Sequence, residues 1–134
     1  MGNIFLEYNG AAKQIISDIY ISDSLKNFDV SNSLKCKGLW DTGATQTVIS
    51  RDIVNKLNLQ AFSKTVISGV NGFSETTSHV VDVWLSENFV IHRVNVFKGQ
   101  LVKGIDVLIG MDIISRGNFS LTNINGRTVF SFIG

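Results

Sequence analysis

The sequence predicts a mostly β fold, and three observations carry that prediction. Short runs rich in Val, Ile, Phe and Thr recur between clusters of Gly, Asn and Ser, while helical periodicity is scarce. Two Asn-Gly dipeptides, at 71–72 and 125–126, stand between strand-like runs, where a tight hairpin needs positive φ at both central residues. The 134 residues include no proline, no low-complexity stretch and no linker-like segment, so one domain spanning 1–134 is expected, with enough chain for a real core.

Taken in order, the opening MGNIFLEYNG lacks the basic and long apolar regions of a signal peptide, and Leu6 stands where a myristoylation signal wants Ser or Thr. Ile15 to Ile21 reads as an early strand, and Leu34 to Trp40 as a second that runs into the turn Asp41-Thr42-Gly43. Thr45 to Ser50 is the next strand. Ser50 then caps a short helix over Arg51 to Leu57, whose Ile53, Val54 and Leu57 share a face. Val81, Val83 and Leu85 alternate with their neighbours, and Val90, Val94 and Val96 repeat the pattern, as strands with one covered face do. Met111 to Ser115 makes a last helical turn or two, ended by Gly117. The closing stretch FSLTNINGRTVFSFIG places Phe130, Phe132 and Ile133 in a hairpin too apolar for a free tail, so it belongs to core or interface, with interface favoured.

Composition excludes several classes of function. Twelve basic residues stand against 11 acidic ones, with no run of either sign, so neither nucleic acid nor an anionic membrane surface is an expected partner. The apolar stretch from Val107 to Ile114 is interrupted by Gly110 and Asp112 and is far too short to span a bilayer. One cysteine, Cys36, forms no internal disulfide, and His79 and His92 are too far apart for a zinc set. A reduced, metal-free, cytoplasmic protein is expected, in which the sequon Asn118-Phe119-Ser120 carries no sugar. Cys36 reads as a buried small apolar residue, both histidines as strand surface residues, and Asp52 and Asp112 as helix-start acids.

Asp41 is the residue that asks for chemistry. An aspartate at the end of an apolar strand, followed by a small residue and a glycine, puts a carboxylate on a tight turn where backbone N–H groups reach its oxygens. The tripeptide alone is short enough to recur by chance. Its surroundings resemble the retropepsins, the retroviral-type aspartic proteases, in three segments that occur in the right order. LWDTGATQTVIS resembles the active-site turn and following strand, SGVNGF at 68–73 the glycine-rich flap tip, and DVLIGMDII at 106–114 the apolar-apolar-Gly strand leading into the C-terminal helix.

The resemblance implies a closed acid-protease barrel with one or two short helices and a flap hairpin, working as a homodimer without metal or cofactor on a peptide or protein substrate. Aspartic proteolysis needs two carboxylates sharing one proton. The chain holds a single Asp-Thr-Gly, so each of two copies would give Asp41 about a twofold axis. Thr42 would reach the partner's backbone, Gly43 would let substrate backbone lie close, and Ala44 lacks the hydroxyl present in two-domain pepsin-like enzymes, which implies a working pH nearer neutral than theirs. Gly69, Val70 and Asn71 would form the flap tip with Gly72 and Phe73, and Val48, Val70 and Leu108 would line apolar side-chain pockets. Thr45, Gln46 and Met111 stand where many viral members carry an interface ion-pair network; with both sides of the pair absent, the resemblance implies an interface rebuilt rather than broken. The rival reading is a binding module on the same fold, holding a peptide or partner protein without cutting it.

Overall fold

The computed structural model describes residues 2–26, 29–69 and 72–134, with backbone alone at 67–69, 73 and 74. Strands β1 (Asn3–Glu7), β2 (Ile16–Asp23), β3 (Leu34–Trp40) and β4 (Val48–Ser50) lead to helix α1 (Arg51–Leu57). Then come β5 (Ser63–Gly69), β6 (Gly72–Ser86), β7 (Phe89–Gly99), β8 (Val107–Ile109), helix α2 (Met111–Ile114), β9 (Asn118–Ile124) and β10 (Arg127–Ile133).

Seven strands form one sheet in the order β2-β3-β8-β4-β7-β6-β5, and β2 also pairs with β6. That extra pairing closes six of them into a barrel and leaves β5 hanging on the far half of β6. The ring has no open edge. Inside it, Ile19, Ile21, Ile49, Val81, Val83, Val96, Val107 and Ile109 are fully buried, at the alternate positions that period-2 patterning singles out.

The local chemistry follows the sequence closely at α1. The Ser50 hydroxyl accepts from the Ile53 N–H at 3.2 Å, and Asn58 ends the helix in the left-handed region at φ 50°, a conformation Asn tolerates better than most residues. Three boundaries differ from expectation. The early strand is Ile16–Asp23 rather than Ile15–Ile21 because it continues along β6 as far as Asp23. The strand expected from Thr45 shrinks to Val48–Ser50 because the carbonyls of Ala44 and Thr45 accept from Met111 and Asp112 instead. Helix α2 stops at Ile114, with Ser115 as its cap.

A second, three-stranded antiparallel sheet, ordered β1-β10-β9, contains the terminal hairpin. Asn125 and Gly126 take φ of 54° and 76° between the paired Ile124 and Arg127, the two positive values a type I′ turn requires. Phe130 and Phe132 are fully buried and pack around Trp40 at centroid distances of 4.9 and 5.1 Å. They belong to the core, which corrects the preference for interface; Ile133 on the other face stays 48 % exposed. The mid-chain hairpin is present as β5 and β6, but Gly72 pairs with Gly69 as a rung of the ladder and so stands in β6 instead of at the centre of a turn. His79, expected at a strand surface, is buried.

Candidate active site

The site begins with Trp40. Its backbone N–H donates to the Ile15 carbonyl at 2.9 Å and its indole N–H to the buried Ser17 hydroxyl at 2.9 Å, which fixes the end of β3 against the aromatic cluster of the second sheet. Asp41 follows at once. Its N–H donates to the Ile109 carbonyl at 2.9 Å, and its own carbonyl accepts from the Ala44 N–H at 3.2 Å, so the turn is tied to β8 and closed on itself. The Asp41 Oδ1 accepts from the Gly43 N–H at 2.9 Å, and a Cβ on Gly43 would stand 3.2 Å from that same oxygen. Glycine therefore keeps the space over the carboxylate open. Asp41 and Ala44 are half-buried, while Thr42 and Gly43 are exposed.

Beneath the turn lies a closed set of polar contacts. Met111 donates to the Ala44 carbonyl at 2.8 Å and Asp112 to the Thr45 carbonyl at 3.2 Å. The Asp112 carboxylate accepts from the Thr47 N–H at 3.1 Å, the Thr47 hydroxyl at 2.7 Å and the Ile113 N–H at 3.0 Å. The Thr47 oxygen in turn accepts from the Gly110 N–H at 3.1 Å. Gly110 is required by contact as well, since a Cβ there would lie 2.7 Å from the Gln46 backbone. Asp112 is thus the helix-start acid expected, and also the strut that carries the Asp41 turn. Sequence reasoning missed this second role because the bond spans 65 residues; the Thr47-Val48 pair was its one visible signal.

Beside the turn runs an apolar row. Leu39 is the Cα partner of Leu108, and Leu108 of Val48, across the three neighbouring strands β3, β8 and β4. Ile16 and Phe97 extend the row at either end. All five are half-buried, and paired residues share a face of the sheet. The row therefore forms an apolar floor on the same face as Asp41, which stands two residues beyond Leu39. The structure brings Val48 and Leu108 together with the turn as expected, and adds Leu39, whose apolar neighbours gave it no distinction in the sequence.

Gly69 ends β5 opposite Gly72. Val70 and Asn71 lie outside the described residues, as does the side chain of Phe73. Thr45, Gln46 and Met111 are all exposed, with no charge among them.

Other polar features sit apart from Asp41. A cavity of about 570 Å³ between the start of α1 and the strands β6 and β7 is lined by Arg51 and Lys98 against Asp52 and Glu75. Such mixed charge does not single out a ligand, and Asp41 is not among its walls. His79 bonds through Nδ1 to the Gln60 carbonyl at 2.8 Å and through Nε2 to the Thr77 hydroxyl at 2.7 Å; burial pushes its pKa down from the usual 6.5. His92 lies 3.2 Å from the buried Asp82 carboxylate. Cys36 is buried, and the lost hydration of its thiolate pushes its pKa up to about 12. Among the described residues, no three His, Cys, Asp or Glu side chains converge as a metal site would require, and no helix is long and apolar enough to cross a membrane.

Against known proteins, the family model described as "Aspartyl protease" matches residues 27–113. No curated protein matches the chain. Among solved structures, a retropepsin-like aspartic protease from Rickettsia conorii is similar over 98 % of this chain and 91 % of its own, with a TM-score of 0.58 at 14 % identity. The EIAV protease in complex with the inhibitor HBY-793 is similar over 81 % of this chain and 91 % of its own, with a TM-score of 0.56 at 24 % identity. At such identities the likeness is one of fold, and the fold is retropepsin-like.

Proposed function

Because the chain belongs to the aspartyl protease family, we propose that two copies of it form a homodimeric aspartic endopeptidase in which Asp41 and the partner's Asp41 share one proton and activate a water. One observation carries the reading: a single Asp-Thr-Gly holds a half-buried carboxylate on a braced turn whose outer residues, Thr42 and Gly43, lie open. An isolated chain then supplies one wall of a cleft, and the partner supplies the other.

The ionised carboxylate takes a proton from water as its oxygen attacks the scissile carbonyl carbon, while the protonated carboxyl gives its proton to the carbonyl oxygen. Collapse of the tetrahedral gem-diol breaks the C–N bond as the proton held by the first carboxylate passes to the leaving amine and one diol hydroxyl returns its proton to the second carboxylate, which leaves a carboxylic acid product and a dyad again sharing one proton. No cofactor takes part. Thr42 would hydrogen-bond the partner's turn, Gly43 would admit the substrate backbone, and Ala44 would leave the dyad one hydroxyl fewer than in pepsin-like enzymes. The apolar row containing Val48 and Leu108 suits bulky apolar side chains near the cut. Gly69, Val70 and Asn71 would close over an extended peptide and pair with its backbone. A buried, unpaired Cys36 suits a reducing compartment such as the cytoplasm.

The test is cleavage of a peptide library by the wild type and by Asp41→Asn. Cutting by the wild type alone, with a pH optimum well above about pH 3, is the expected result. Equal peptide binding by both proteins with no cutting by either would assign the fold to a binding module instead.

A further inference from the structure

The apolar row beside Asp41 gives way, on the side remote from the turn, to a row of charge. One residue before β8, the Asp106 N–H donates to the Lys37 carbonyl at 3.0 Å and the Asp106 carbonyl accepts from the Ser50 N–H at 2.9 Å. The ladder of β3, β8 and β4 therefore continues through Asp106. Its neighbours Ile105 and Val107 are buried, while Asp106 and Leu108 are half-buried, and alternation places the Asp106 side chain on the face that carries Leu108. Lys37 stands beside it on β3, and Asp18 is the Cα partner of Lys37 on β2. The two carboxylates differ in what they hold. Asp18 has the ammonium groups of Lys37 and Lys35 at 2.5 and 3.9 Å. Asp106 accepts the backbone N–H of Lys37 at 2.8 Å, and among the described residues no cation lies within ion-pair distance of it.

We propose that Asp106 is a specificity residue, which selects a lysine or arginine next to the scissile bond of the substrate. The inference rests on the endopeptidase reading and names a substrate class for its cleft. Asp41 stands two residues beyond Leu39, Asp106 stands two residues before Leu108, and Leu39 and Leu108 are paired. From the reacting carboxylate to Asp106 there is thus one apolar step, with about 6–7 Å between successive side chains on that face. A basic side chain matches both parts of this path. Its methylene stem lies on Leu39 and Leu108, and its charged head reaches the waiting carboxylate. A purely apolar side chain satisfies the first part alone, and a glutamate would be repelled at the second. The Lys37 ammonium does not compete for Asp106, because it is engaged at Asp18. A carboxylate left with one backbone donor in a half-buried place gains a strong bond from such a partner. The half of the row built by Val48 and Phe97 is backed instead by Ser50 and Gly99 and keeps its fit to apolar side chains.

The test compares members of a peptide library that differ only in carrying lysine, norleucine or glutamate beside the cut, norleucine keeping the stem without the charge. Wild type is expected to cut the lysine peptides with a kcat/KM at least about tenfold above that for norleucine, the size of one charge-assisted bond. The ratio should shrink as salt is added, since the site is half open to solvent. Asp106→Asn keeps an oxygen for the Lys37 N–H, so the fold is retained, as circular dichroism should verify, and the ratio should fall to about one. Asp106→Lys should turn the preference toward glutamate. A wild type that cuts but ignores the charge, or an Asp106→Asn that keeps the preference for lysine, would overturn the role of Asp106 and leave the protease reading standing. A wild type that cuts no member of the library would overturn both.

Discussion

The two sides of the Asp41 turn differ in how far one chain completes them. Below it, Thr47, Gly110, Met111, Asp112 and Ile113 all find partners within the chain, and Thr47 is fully buried. Above it, Thr42 and Gly43 are exposed. The fold therefore spends its buried polar contacts on placing one carboxylate, and on the proposed reading the opposite wall comes from a second copy. A functional group is positioned by what lies behind it, and a site can be rigid while still being half of a whole.

The sharpest way to break this contrast is to remove the strut. Asp112→Ala leaves the Thr47 hydroxyl and N–H without their acceptor in a buried place, and should cost about 3 kcal/mol of stability by denaturant titration. Cleavage per folded molecule should fall with it; an unchanged rate in folded protein would show that the underside does not position Asp41. Thr47→Val keeps the shape and removes one oxygen, which strands the Gly110 N–H and takes from Asp112 Oδ1 one of its two donors, leaving the Ile113 N–H. About 2 kcal/mol is expected there, read by the same titration.

His79 probes a different part of the barrel, at the base of the hairpin that carries Gly69. Burial lowers its pKa below 6.5 in the folded chain, so near and below that pH the unfolded chain binds more protons. Stability is then full above the free histidine value and falls as the pH drops through it. Tm measured from about pH 7.5 to about pH 5 should decline, and His79→Gln should flatten the decline. The smallest effect concerns Cys36, whose pKa of about 12 leaves almost no thiolate at neutral pH. Alkylation in folded protein should be slow and should accelerate on unfolding; rapid labelling of the native chain would contradict its burial.

The parts of this picture that were legible in the sequence share a short range. The hairpin at Asn125-Gly126 and the Ser50 cap of α1 are decided by neighbours two or three residues apart, and both stand where periodicity and turn chemistry put them. The Asp41 turn was legible because its flanking segments resemble those of one family in order. Strand β1 was not, since Asn3–Glu7 gains its partner only from β10 at the other end of the chain. Asp112 is legible only in part, for its place in a first helical turn is local and its bonds to Thr47 are not. The size and apolarity of Phe130 and Phe132 demand cover, but only the packing around Trp40 says that the cover comes from their own chain. The burial of His79 is not legible, because a lone histidine in a strand gives no sign of the Gln60 carbonyl that its Nδ1 meets.

The central claim, that each chain brings half of one cutting centre, is tested most directly by mixing. Wild type and Asp41→Asn chains are combined at fixed total concentration, allowed to exchange, and assayed for peptide cleavage as the wild-type fraction is varied. If the centre needs Asp41 from both copies, mixed dimers are dead and activity follows the square of the wild-type fraction. Activity that instead falls in direct proportion to that fraction would mean a single chain cuts by itself, and the account given for Asp41 would be wrong.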